Sequence, residues 1–165
     1  MASFFVEWTV RIASAFYAAR ILADAADVGS HRLRRALWTI GFGFFALHVA
    51  AAFHFVHGWS HTAAWNATAR QTAELTGWNS GAGLLANYLF TLVWFADVAA
   101  WWCVGSLYPR RLRRTSIVVQ IAFAFLWFNA TAVFGPPFWR PVVAAFGLLL
   151  SATWVWRVRR ERGER

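Results

Sequence analysis

Long apolar stretches, separated by short arginine-, glycine- or proline-rich breaks, organise this chain. Four are long enough, or nearly so, for the roughly 20 helical residues that a hydrocarbon core requires. They are residues 36–57 (ALWTIGFGFFALHVAAAFHFVH), 81–104 (GAGLLANYLFTLVWFADVAAWWCV), 116–134 (SIVVQIAFAFLWFNATAVF) and 141–158 (PVVAAFGLLLSATWVWRV). The breaks GWSH…GWNSG, YPRRLRRTS and GPPFWRP carry the Gly and Pro that end helices. A further stretch, residues 4–23, is as long but holds Glu7, Arg11 and Arg20. Glu7 and Arg11 stand four apart, so they can pair on one helix face and lower the cost of burial. A fifth span is the preferred reading there; the alternative is an amphipathic helix lying in the interface. Residues 59–80, Ala-rich with Trp59, Trp65 and Trp78, predict a short helix along the outer interface, the level Trp prefers. The pattern defines one domain, residues 1–165, all-α: a polytopic transmembrane helical bundle of four spans and an N-terminal fifth.

Composition supports that assignment. The chain is 59% hydrophobic and only 14% charged, against about 25% charged in an ordinary soluble domain. All sixteen basic residues are Arg, and Lys is absent, which excludes a retinal or pyridoxal Schiff base and a P-loop lysine. One Cys excludes an internal disulfide framework and Cys-rich zinc or iron–sulfur sites. Twelve Arg lie in the segments 31–35, 109–114 and 157–165, at alternate ends of the four runs. That is the positive-inside pattern: the C-terminus is expected in the cytoplasm and the protein in the plasma (inner) membrane, multi-pass. The clusters are short and juxtamembrane, so they fit anionic lipid heads and not nucleic acid. The first residues lack a basic n-region and a small-residue cleavage site, so no cleavable signal peptide is expected.

The densest chemistry is HVAAAFHFVHGWSH, with His48, His54, His57 and His61 at the outer half of one expected helix. At about 100° per residue, His54, His57 and His61 fall within roughly 60° of one another, provided the helix continues through Gly58. Three imidazoles so placed are expected ligands for a transition metal (Cu, Fe or Zn). The HxxxH pair formed by His57 and His61 resembles one box of the membrane fatty-acid desaturases, but their further HxxHH boxes are absent and the family is excluded. HExxH is also absent, so a zinc metalloprotease is unsupported. Haem b is a further candidate; its usual two axial histidines come from two helices, and the other runs contain no His. A second copy or a partner subunit would supply the missing ligand.

Other polar residues within the apolar runs are functional candidates because burying them in lipid is costly. Asn87, Thr91, Trp94, Asp97 and Trp101 share one broad face of the second run, expected to face the bundle interior. Asn87 and Asn129 come to the depth of His54, which predicts an outward-facing pocket lined by His54, His57, His61, Asn87 and Asn129. His48, Glu74 and Asp97 are candidates for a further ligand or a proton path. Asn87 and Asn129 also read as ordinary interhelical hydrogen-bond donors. Ser80 lacks a GxSxG context, so a serine hydrolase is not indicated. Three function classes stand: a metal- or haem-binding membrane protein with redox chemistry at its outer face; an accessory subunit of a larger membrane complex, or homo-oligomer; and a small proton- or ion-translocating protein. Whether the chain is an enzyme is left open by the sequence.

Overall fold

A computed structural model describes residues 2–105, 108 and 113–163. The described residues form six α-helices and no strand: α1 Ala2–Ala25, α2 His31–Phe55, α3 His61–Thr76, α4 Ala82–Val104, α5 Arg113–Phe128 and α6 Trp139–Gly163. One π-helical turn, Asn129–Val133, continues α5. Helices α2, α4 and α6 are long and apolar enough to cross a membrane, and the apolar part of α5 with its π turn is shorter. These helices make the chain a membrane protein by length and composition. Arg110, Arg111 and Arg165 of the expected arginine clusters lie outside the described residues.

Local chemistry explains where the helices begin and end. The apolar run starts at Ala36, but α2 begins five residues earlier because the Ser30 side chain accepts a hydrogen bond from the Leu33 N–H (3.2 Å). That interaction satisfies one of the free donors at a helix start. α3 starts the same way, with the Ser60 hydroxyl accepting from the Ala63 N–H at 3.1 Å. It stops at Gly77, whose φ of +78° is the left-handed cap geometry glycine adopts without strain.

Helix α1 runs antiparallel to α2 along its whole length, as ring pairs at successive levels show: Phe5 with Phe55, Phe16 with Phe44, and Tyr17 with Trp38. α4 packs on α2 and α3, and α6 on α1. At the centre Tyr17, Trp38, Phe90, Trp94 and Phe123 form an aromatic core, with Trp38–Trp94 and Phe90–Phe123 centroids 4.9 and 4.5 Å apart. Leu148 is 74% and Trp154 63% exposed on α6, an apolar surface suited to lipid and not to water.

Gly81 shows how tightly α3 and α4 meet. A Cβ placed there would fall 2.4 Å from the Trp65 ring, whereas one at Gly43 would meet nothing within 4 Å. Gly81→Ala is therefore expected to cost about 1–3 kcal/mol through overpacking, read as a lower Tm in detergent. Gly43→Ala, in the open interior of α2, is expected to leave Tm unchanged or raise it slightly.

One end of the bundle gathers ionic groups. Asp24 pairs with both Arg20 and Arg34, and Arg34 also donates to the Asp27 carboxylate at 2.9 Å. The Arg34 hydrogen bond and charge, helped by Arg157 and Arg160 of α6, hold the Asp27 carboxyl below the usual carboxylate range. The corner between α1 and α2 and the C-terminal turns of α6 therefore lie at the same end. A depressed carboxyl contributes stability that is present above its unfolded value, about 3.9, and is lost as pH falls through the lower folded value. Proteolysis at this corner is thus expected to stay constant from pH 7 to about 4 and to rise below that. Asp27→Asn is expected to remove that acid-dependent rise.

Candidate functional site

The end opposite the ionic corner holds a cavity of about 580 Å³, within the range of small-molecule sites. Its walls are contributed by α1, α2, α3, α4 and the α5–π segment, and Trp139 opens α6 at its edge. Aromatic side chains dominate: Tyr17, Phe45, Phe90, Trp94 and Trp127. A few polar groups are set among them, namely Ser14, His48, His57, Thr68, Gln71, Asn87 and Thr131. The π turn belongs to this wall. It carries Thr131, which is 2% exposed and bonds back to the Trp127 carbonyl at 2.7 Å. Gln71 of α3 donates to the Phe134 carbonyl at 3.1 Å and so secures the end of that turn. Helices widened in this way are frequent where a ligand or function needs the space.

His48 is the pivotal polar group. Its Nδ1 lies 2.8 Å from the Val6 carbonyl of α1. A carbonyl only accepts, so Nδ1 carries the proton, and in the neutral ring Nε2 is the acceptor. The side chain is half-buried about 10 Å from the C-terminal end of α2, on a rise of 1.5 Å per residue.

The structure separates the histidines that a continuous helix would align. α2 ends at Phe55, and Gly58 and Trp59 both have positive φ (55° and 60°), which turns the chain before α3 begins at His61. The single helical face carrying His54, His57 and His61 is therefore not formed. His54 is exposed, and its Nδ1 accepts from the Trp59 indole N–H at 3.1 Å. His61 is exposed on α3, with Nδ1 2.9 Å from the Tyr88 hydroxyl and its ring stacked on that of Tyr88. His57 is half-buried against Phe53 and lines the cavity. Among the described residues no three His, Cys, Asp or Glu side chains gather as a metal-holding group. A metal held by His54 through Nδ1 would require Trp59 to release it, whereas His61 can keep Nδ1 on the Tyr88 hydroxyl and offer Nε2. Elemental analysis decides it: stoichiometric copper, iron or zinc that disappears in the triple alanine variant would establish the site.

The remaining candidates divide between the cavity and the rest of the fold. Asn87 reaches the cavity with His48 and His57. Asn129 does not line it; its amide donates to the Phe125 carbonyl at 2.8 Å within its own helix. Glu74 is exposed on α3 and likewise lies outside the cavity wall. Asp97 belongs to the opposite half of the bundle. Its Oδ2 accepts from the Trp38 indole N–H (2.9 Å) and the Tyr108 hydroxyl (2.6 Å). Nearby, the Trp101 N–H donates to His31 Nε2 at 2.7 Å, and the Arg20 guanidinium lies over the Trp101 ring. Asp97 is thus tied into a Trp/Tyr network by direct bonds.

Sequence reasoning overlooked Ser14, Tyr17, Thr68 and Gln71 as cavity groups. Ser14 and Tyr17 lie on α1, whose polar residues are too few to mark an inward face, whereas Thr68 and Gln71 lie on α3, whose polar residues are spread over all sides and single out none. Compared with protein-family models, curated proteins and solved structures, the chain finds no match.

Proposed function

We propose that this is a small integral membrane protein that holds a ring-bearing, membrane-soluble cofactor or ligand in the cavity at its outer half. The proposed role lies in redox chemistry of the plasma (inner) membrane. The observation that carries this reading is the aromatic cavity of about 580 Å³ with His48 set in its wall. Flat aromatic walls favour a ring through stacking and edge-to-face contact, and a single oriented imidazole supplies polar specificity. The proposed topology has five spans, with the C-terminus cytoplasmic. Two features support it: α1 accompanies α2 from end to end, and the arginine-rich corner and tail share one end of the bundle.

The test is purification without chelator, followed by an absorption spectrum and mass spectrometry of an organic extract. A ring compound close to one per protein, lost in His48→Ala while the fold is retained, is the expected result. A Soret band would identify the occupant as haem b, with His48 Nε2 as the axial nitrogen. Wild-type protein that neither carries nor takes up any ring compound would overturn the proposal.

A further inference from the structure

Two buried indole donors beside the cavity bear on the chemistry of the occupant. Trp94 is 2% exposed, and the indole N–H groups of Trp94 and Trp127 are buried without a hydrogen-bond partner among the described residues. Both side chains line the cavity together with His48. A buried N–H left unpaired costs free energy, so an occupant bearing oxygen acceptors is favoured over a pure hydrocarbon. His48 sets a complementary demand. With Nδ1–H committed to the Val6 carbonyl, Nε2 offers a lone pair to a hydroxyl donor. An aromatic hydroxyl satisfies both sides at once, because its oxygen accepts from an indole while its proton bonds to the imidazole.

Resting on the ring-binding reading above, we infer that the cavity takes a phenolic or quinol head group, with His48 accepting from its hydroxyl and Trp94 or Trp127 donating to its oxygens. Any apolar tail on such a molecule has a path toward lipid. A second groove of about 370 Å³ between α1 and α6 shares Ser14, Trp127 and Trp139 with the main cavity, and its other walls include Ala15, Ala18 and Val142. The reduced form fits better than the oxidised one, because a quinone has no proton to offer Nε2. Only binding is inferred.

The experiment uses the full chain in nanodiscs under anaerobic conditions, measuring uptake of four probes by equilibrium partition. They are a decyl-substituted benzoquinol, the matching quinone, the quinol's dimethyl ether and decylbenzene. The expected order is quinol first, then ether and quinone, then decylbenzene, with each hydrogen bond worth about three- to tenfold in affinity. His48→Phe, which keeps a ring in place, should bring the quinol down to the level of the ether and leave the ether unchanged. Trp127→Phe should weaken quinol and ether alike and leave decylbenzene unaffected. Decylbenzene binding as tightly as the quinol overturns this inference while leaving a ring-binding cavity intact, and so does a quinone that binds more tightly than the quinol. A chain that takes up none of the four, alongside no Soret band or extracted ring compound, overturns the broader proposal as well.

Discussion

Replacing Trp38 by Ala is expected to destabilise the bundle by about 3–5 kcal/mol, the range for truncating a large buried aromatic. Trp38 is 1% exposed, and its ring touches Tyr17, Trp94 and Phe123 at centroid distances of 6.1, 4.9 and 5.1 Å. Its indole N–H also supplies one of the bonds that hold Asp97. Trp38→Phe separates these contributions. It keeps most of the packing but leaves the carboxylate with one donor fewer, at about 1–3 kcal/mol. Tyr108→Phe removes a second donor. The double variant is expected to cost more than the sum of the two, because Asp97 then loses both of these bonds in an apolar surrounding. Equilibrium unfolding in mixed micelles, read by near-ultraviolet circular dichroism, compares the four variants with wild type. Equal stability of Trp38→Ala and wild type would show that the aromatic core is not what holds the bundle together.

Filling the cavity is expected to abolish occupancy altogether. Ala52 of α2 and Ala67 of α3 both line it. Ala52→Trp places an indole in the space the ligand would take and leaves the Trp38–Asp97–Tyr108 network, at the other end, untouched. The variant should fold with a Tm within a few degrees of wild type while its bound ring compound falls to background. Ala52→Ser, which changes polarity with almost no volume, should bind as wild type does. Undiminished ligand in Ala52→Trp would locate the binding site elsewhere on the molecule.

Much of the architecture was legible in the chain because helix formation in an apolar medium is a local matter. Every expected span corresponds to a helix, and residues 59–80 contain α3, Ser60-capped and Gly77-terminated. Boundaries shifted where a single side chain overrode the apolar pattern, as Ser30 did by extending α2 back to His31. The histidine site was less legible. Its wheel geometry assumed a helix through Gly58, yet the chain turns there with positive φ, and His54 and His61 are engaged by Trp59 and Tyr88. Of the outer-pocket residues, His57 and Asn87 reach the cavity and Asn129 turns back to its own helix. Trp94 and Trp101 lie buried on the inward face of α4, as their spacing with Asn87 and Asp97 predicts.

The amino-acid sequence alone determined the helical class, the breaks between helices and the opposition between an arginine-rich end and a histidine-bearing end. Each follows from interactions within about one helical turn or from the partition of side chains into lipid. Only the tertiary structure decided that His48 is oriented by the Val6 carbonyl, that Asp97 is held by Trp38 and Tyr108, and that aromatic walls enclose a cavity. Those features depend on helix rotation and on contacts between residues as far apart as 42 and 59 positions in the chain. Neither periodicity nor composition carries that information, since packing chooses among faces that local preferences leave nearly equal in energy.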